Sequence, residues 1–378
     1  METPALKPKA LKKGDKIAIV SPSARLNVEF HAAISRAKSV LETHGTLKST
    51  VEIFWTDSDP KTTTINHSVR HRVAELVAAF TDPDVRAIIC TIGGSTANEL
   101  TRLLLTNETL AASIVQDPKI FVRMSDITIL HWVLAKHGLR TFYGPAALDD
   151  LGEASDPSDE EQPLHFSLEN LIRAICDRPD KAPIDQVARS RNFATHLPDF
   201  WNGNPSSTLP RILSLTPPWT WLRSGKARGN IFGGLLHAVV RLHGVPELVP
   251  DWAGKILFVE TATMDGNDEK GTPLSRVQQH LVDLTAYGVF DKIAGLIVGR
   301  PIGYNTPAEL EAYGEVVTNV VVHGGLHSNP VEFPILFNVD IGHAAPMVTI
   351  PMFAEVALDS AENRFEIIEP GVKFSGDD

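Results

Sequence analysis

Two hydrophobic periodicities alternate along the first third of the chain. "KIAIVSPSA" (16–24) is a β-rich apolar run ending in turn residues, and "FHAAISRAKSVLETHG" (30–45) carries apolar positions at helical spacing and stops at a glycine, a usual helix C-terminal signal. The exchange continues through "TVEIFW" (50–55), "SVRHRVAELVAAFTDP" (68–83), "VRAIICTIGG" (85–94) and "ANELTRLLL" (97–105). "KIFVRM" (119–124) followed by "DITILHWVLAKHG" (126–138) adds another strand and helix. Short apolar strands separated by helices predict a parallel sheet covered on both faces.

The pattern then changes. Residues 149–166, "DDLGEASDPSDEEQPLHF", are acidic and rich in Pro and Ser, as expected of a boundary or surface loop. A helix is predicted over "SLENLIRAICDRP", and 180–228 read as irregular, with the aromatic and basic cluster "PPWTWLRSGKARG". From about 229 a glycine-rich helix start leads to a strand "KILFVETAT" (255–263), a helix "SRVQQHLVDLTAYG", a strand "AGLIVGRPIGY" (294–304) and another helix. Strands "FPILFNVDIGH" (333–343) and "MVTIPM" (347–352) precede a hairpin around "DSAENRFEII". The expected class is α/β. An N-terminal flavodoxin- or Rossmann-like parallel-sheet domain occupies 1–148, and a variable linker with a helix and aromatic loop occupies 149–228. A smaller α+β domain with a mixed or barrel-like sheet occupies 229–378.

Composition narrows the partners. Among 378 residues, 35 are basic and 46 acidic, a formal charge of −11 that repels polyphosphate backbones and anionic lipid surfaces. Neither nucleic acid nor a membrane is expected as a partner. The two cysteines, Cys90 and Cys176, form no CxxC pair, so no disulfide framework is implied. The N-terminus lacks the apolar segment of a signal peptide and no apolar run reaches membrane-spanning length, which predicts a cytoplasmic protein. His67 and His71 have i,i+4 spacing without the intervening glutamate of HExxH, and neither metal nor cofactor is expected.

Candidate chemistry sits where apolar runs end. Ser125 follows one directly, at a predicted strand-to-helix turn, and reads either as a helix N-cap or as a hydroxyl held out of the sheet toward a substrate. A serine nucleophile needs a base and an orienting group. Glu260 ends the run "KILFVE", where a carboxylate is costly unless paired; it reads as an edge carboxylate or as an orienting acid. His343 follows "NVDIG", and reads as a solvated imidazole or as the base. Asp340, three residues earlier, points to the opposite face by period-two alternation. The Gly93-Gly94 turn before a helix start offers backbone N–H groups for an anion. Trp219 and Trp221, beside a basic tail, read as a hydrophobic plug or as a stacking platform for an adenylate-like group.

The order "GDKIAIVSPSA", "AELVAAFTDPDVRAIICTIGG", "SDIT", "GNIFGGLL", "GKILFVE", "GLIVGRPIGY", "NVDIGH" resembles the LD-carboxypeptidase family, microcin C immunity peptidases included, over almost the whole chain apart from about 150–225. The resemblance implies a two-domain, metal-independent Ser-His-Glu hydrolase. It maps the nucleophile to Ser125, the carboxylate to Glu260 and the base to His343, with oxyanion donors at the Gly94 and Asp126 N–H groups. The family usually has Gly-Tyr before the serine where this chain has Arg123-Met124. Either the turn is less sharp, or Arg123 extends into the site as a substrate contact. Two substrates compete, an aminoacyl-nucleotide conjugate of the microcin C type and an L,D-tetrapeptide losing terminal D-Ala. The tryptophans favour the first, with a homodimer as the expected assembly. A non-catalytic protein binding an anion at Gly93-Gly94 is the alternative from another class.

Overall fold

In the computed structural model, which describes residues 4–54, 64–264, 267–326 and 330–376, the alternating pattern becomes alternating elements. These are β1 (Lys16–Val20), α1 (His31–Thr43), β2 (Thr50–Ile53), α2 (Ile65–Thr81), β3 (Val85–Cys90), α3 (Thr101–Leu105), α4 (Glu108–Gln116), β4 (Ile120–Val122), α5 (Thr128–Lys136) and β5 (Phe142–Tyr143). Trp55, at the end of the second predicted strand, lies outside the described residues. Two elements escaped the periodicity. Helix α4 is set by a local cap, the Asn107 side chain accepting from the Leu110 N–H, and β5 is too short to show any alternation.

The five strands pair in parallel in the order β2-β1-β3-β4-β5. In this flavodoxin-like order the connections change direction between β1 and β3, and ligands bind beyond the carboxyl ends of the strands near that point. The segments after β1, β3 and β4 carry Ser23, Gly93-Gly94 and Ser125.

The rest of the chain forms α6 (Pro163–Ile175), β6 (Asp185–Gln186), β7 (Asn192–Ala194), β8 (Leu213–Leu215), β9 (Thr220–Arg223), β10 (Lys226–Leu235), α7 (Leu236–Leu242) and β11 (Ile256–Glu260). After them come β12 (Thr263–Met264), β13 (Asn267–Gly271), α8 (Leu274–Ala286), β14 (Gly295–Gly299), α9 (Pro307–Val321), β15 (Ile335–Val339), β16 (Ile350–Pro351), β17 (Glu355–Asp359) and β18 (Arg364–Ile367). The larger sheet runs β6-β18-β17-β10-β11-β14-β15-β9, with β10, β11, β14 and β15 parallel and its flanks antiparallel. The helix start expected at 229 is instead a ten-residue strand, and α7 begins only at Leu236. Three glycines inside β10 suppress its β signal.

The sheet curls until its two flanks meet. Trp219 lies with its ring centroid 6.3 Å from that of Phe365 on β18, and Trp221 on β9 donates from Nε1 to Asn363 Oδ1 at 2.9 Å. The pair thus forms a seam of the barrel-like sheet. This corrects the stacking-platform reading: Trp219 is 6% exposed, and the Arg189 guanidinium already covers its ring at 3.9 Å.

Two features lock the sheets together. Helix α5 of the first sheet packs on β10, with Trp132 5.0 Å from Phe232 and its Nε1 donating to the Gly233 carbonyl at 3.2 Å. The chain also crosses back after β15, and β16 pairs antiparallel with β5, Ile350 opposite Tyr143. His343 lies on that crossing. Asp340, buried at its start, accepts from Arg300 Nη2 at 2.7 Å and from Ser190 Oγ at 2.5 Å, which holds the crossing to its own sheet.

Candidate active site

Ser125 sits at a sharp turn. Its φ is +66°, in the left-handed region that non-glycine residues seldom occupy, and such strain persists where surrounding contacts fix it. Those contacts are named ones. The Ser125 N–H donates to the Tyr143 hydroxyl oxygen at 3.1 Å, and its carbonyl accepts from Thr128 Oγ1 at 2.7 Å. Thr128 Oγ1 in turn accepts from the Leu235 N–H at 3.0 Å, tying the turn to the end of β10. The helical turn at 125–127 has Met124 as its N-cap and no side-chain capping bond, so the Ser125 hydroxyl is not spent on a cap.

That hydroxyl lies 2.9 Å from His343 Nε2, and His343 Nδ1 lies 2.7 Å from Glu260 Oε2. A carboxylate can only accept, so Nδ1 carries the hydrogen and Nε2 is left to accept from Ser125 Oγ. Glu260 is fully buried at the end of β11. Burial alone would raise its pKa; the neighbouring His343 imidazole, with hydrogen bonds from His343 and Tyr143, outweighs that and holds the carboxyl below its ordinary value. Gly342 makes the approach feasible. Its φ is +100°, and a Cβ there would fall 2.5 Å from Glu260 Oε2.

The Gly93-Gly94 turn closes over the same hydroxyl. A Cβ on Gly93 would fall 2.7 Å from Ser125 Oγ and 3.3 Å from the Asp126 nitrogen, so the missing side chain leaves room for a reacting group beside both. The Asp126 carboxylate fixes this turn: its Oδ2 accepts from Ser23 Oγ at 2.7 Å and from the Ala97 N–H at 2.8 Å. Sequence reasoning used only the Asp126 backbone and missed this clamp. Gly93→Ala is expected to lower kcat/KM by about 100- to 1000-fold, the usual consequence of obstructing an oxyanion donor, with an unchanged circular dichroism spectrum. Kinetics within threefold of wild type would remove the turn from the chemistry.

Arg123 corrects both alternatives drawn from its place before the serine. The turn is sharp, and the Arg123 side chain is 1% exposed, lying between Asp149 at 4.0 Å and Asp150 at 3.9 Å. It is a buried support. Its carbonyl accepts from His131 Nε2 at 2.6 Å, while His131 Nδ1 accepts from Thr141 Oγ1 at 2.7 Å. Burial pushes the His131 pKa down to about 4, so at neutral pH it is an uncharged strut under the turn. His67 and His71 lie along α2 with ring centroids 6.1 Å apart. Among the described residues no group of three or more His, Cys, Asp or Glu side chains is arranged to hold a metal ion, and no helix is long and apolar enough to cross a membrane. Sequence reasoning also missed Tyr143, and only its place in the dipeptide strand β5 could have drawn attention to it.

Two domain descriptions match the chain: the LD-carboxypeptidase N-terminal domain over residues 17–144 and the LD-carboxypeptidase C-terminal domain over residues 228–358. A putative carboxypeptidase of Vibrio cholerae is 27% identical over 97% of this chain and 98% of its own length. The microcin C7 self-immunity protein MccF of Escherichia coli is 26% identical over 80% of this chain and 79% of its own. The solved structure of that immunity protein in complex with aspartyl sulfamoyl adenosine superposes with a TM-score of 0.78 at 25% identity, covering 98% of this chain and 100% of the other.

Proposed function

Because this chain belongs to the LD-carboxypeptidase family of serine peptidases, we propose that it is a metal-independent Ser-His-Glu amide hydrolase acting on aminoacyl-nucleotide-like conjugates. The observation that carries the chemistry is the unbroken series from Ser125 Oγ to His343 to Glu260, at 2.9 and 2.7 Å. In this reading Ser125 Oγ attacks the substrate carbonyl while its proton passes to His343 Nε2. The Gly94 and Asp126 N–H groups stabilise the oxyanion, and Glu260 holds the imidazolium. His343 then gives the proton to the leaving nitrogen, and water repeats the cycle on the acyl-enzyme. Residues 1–148 supply the nucleophile and 229–378 the base and its carboxylate.

The substrate class rests on the likeness to the immunity protein, whose solved complex holds an aminoacyl sulfamoyl nucleoside. The aromatic surface assigned to the base in this reading is Trp201, which was not singled out in the sequence. Its half-buried indole packs on a buried cluster that includes Ile92 and Phe30, 4.5 Å from the Phe30 ring, and Ala24 packs on the same cluster. The second reading, an L,D-tetrapeptide carboxypeptidase, takes its reaction from the likeness to the putative carboxypeptidase of Vibrio cholerae and its tetrapeptide substrate from the family resemblance. A cytoplasmic homodimer is part of the same proposal, and the exposed Leu209, Ile212 and Leu215 are the apolar side chains a second copy would cover.

The test compares kcat/KM on aspartyl sulfamoyl adenosine with that on an L,D-tetrapeptide ending in D-Ala. The nucleotide conjugate is expected to be the better substrate by at least about tenfold, and Trp201→Ala to cost about 1–3 kcal/mol on it alone. A reversed preference transfers the assignment to the cell-wall peptide. Failure of a phosphonate serine probe to label the protein would replace both with an anion-binding role.

A further inference from the structure

Both carboxylate oxygens of Glu260 receive a hydrogen bond, and one of the donors lies outside the Ser-His-Glu series. Tyr143 Oη donates to Glu260 Oε1 at 2.5 Å while accepting from the Ser125 N–H at 3.1 Å. The phenol is fully buried, its ring edge-on to Phe258 at 5.1 Å, and it is shut off from bulk solvent. It therefore bridges the strained backbone of one sheet and the carboxylate of the other. From this geometry we infer that Tyr143 is a positioning residue for the hydrolysis. It holds Glu260 ionised and aimed at His343, and couples that state to the conformation of the Ser125 turn.

Three consequences give this role physical content. First, both carboxylate oxygens of Glu260 are engaged, Oε2 by His343 and Oε1 by Tyr143, so the carboxylate cannot rotate away from the base. Second, the Ser125 N–H is committed to the phenol, which leaves an incoming oxyanion to donors other than the serine's own amide. Third, the register that sets Tyr143 depends on the crossing that carries His343, because Ile350, seven residues after the histidine, pairs with Tyr143. Phenol and base are thus fixed by one segment, and both close on the carboxylate from the end of β11. The direction of proton donation is settled by burial and by the Glu260 charge, which together keep the phenol protonated far beyond its ordinary range.

The role predicts a pH signature. The groups facing Glu260 are His343 from the crossing, Tyr143 from β5, His237 from α7 and, by way of Thr261, Tyr313 from α9. Removing the phenolic hydroxyl takes away one donor that favours the charged carboxylate. The His343–Glu260 pair then binds a proton more readily, and the acid limb of the pH–rate profile moves to higher pH.

This inference rests on the proposed serine mechanism, and the experiment separates the two. Tyr143→Phe, checked for folding by circular dichroism and thermal melting, is expected to lower kcat about 10- to 100-fold, the range for a lost hydrogen bond to a charged group. KM is expected to stay within about twofold, and the acid limb of kcat/KM to rise by about one pH unit. A double-mutant cycle with Glu260→Gln supplies the second readout. If Tyr143 acts through Glu260, its replacement costs little more in a protein that already carries Glu260→Gln. An unshifted acid limb, or full additivity of the two losses, overturns the role of Tyr143 and leaves the serine mechanism standing. Loss of the mechanism itself would appear instead as activity surviving Ser125→Ala.

Discussion

Ser125→Ala is expected to lower kcat by about a million-fold, the typical cost of removing a nucleophile that works as one member of a unit. The fold should persist. Alanine keeps the Cβ, so a φ of +66° is no more strained than before. The bonds that set the turn, Ser125 N–H to Tyr143 and Thr128 Oγ1 to the Ser125 carbonyl, involve only the backbone of residue 125. Substrate affinity, measured by equilibrium binding of aspartyl sulfamoyl adenosine, should change by less than about threefold, because a missing hydroxyl leaves the pocket walls in place. A turnover number within tenfold of wild type would mean that another group attacks the carbonyl.

Glu260→Gln is expected to cost about ten-thousand-fold in kcat, the scale seen when the orienting acid of a triad becomes an amide. The reason is a count of acceptors. Glu260 receives two hydrogens, from His343 Nδ1 on one oxygen and from Tyr143 Oη on the other. A glutamine has one oxygen to offer, and its NH2 must face a group that also donates. If the amide nitrogen faces His343, Nδ1 has to accept, the hydrogen moves to Nε2, and the base presents a proton to Ser125 Oγ instead of a lone pair. If it faces Tyr143, the phenol loses its acceptor while still receiving the Ser125 N–H. Both arrangements also forfeit the negative charge that steadies the imidazolium. Steady-state kinetics with the melting temperature measured in parallel decide the matter. A loss below about tenfold in a folded protein would mean that Glu260 serves only the structure.

The two variants separate the chemistry from its support, and the same division runs through what could be read before the structure. Strand and helix periodicities are local, so the order of elements through residue 138, apart from the cap-set helix α4, followed from apolar spacing, as did the parallel character of the first sheet. The family resemblance rested on motifs at strand ends, and it singled out the serine, glutamate and histidine that the fold brings within hydrogen-bonding distance. Local pattern failed where glycine or brevity hid it. The ten-residue strand β10 read as a helix start, and the dipeptide β5 went unread although it carries Tyr143.

Contacts across long stretches of chain were beyond any window on the sequence. Ser125 meets His343 across 218 residues and Tyr143 meets Glu260 across 117. A hydroxyl's role depends on which partner the sheets deliver to it, and that is a property of packing. The same holds for the destinations of side chains whose types suggested ligand binding. Arg123 went to Asp149 and Asp150 because a guanidinium buried in the sheet needs opposing charge nearby. Trp219 and Trp221 went to the seam because closing a curled sheet buries large apolar area where its flanks meet. The sequence by itself determined the alternation of the longer strands and helices in the first part of the chain and which residue types end them. The tertiary structure decided which ends face one another, since that choice is made by register, twist and burial acting between segments far apart in the chain.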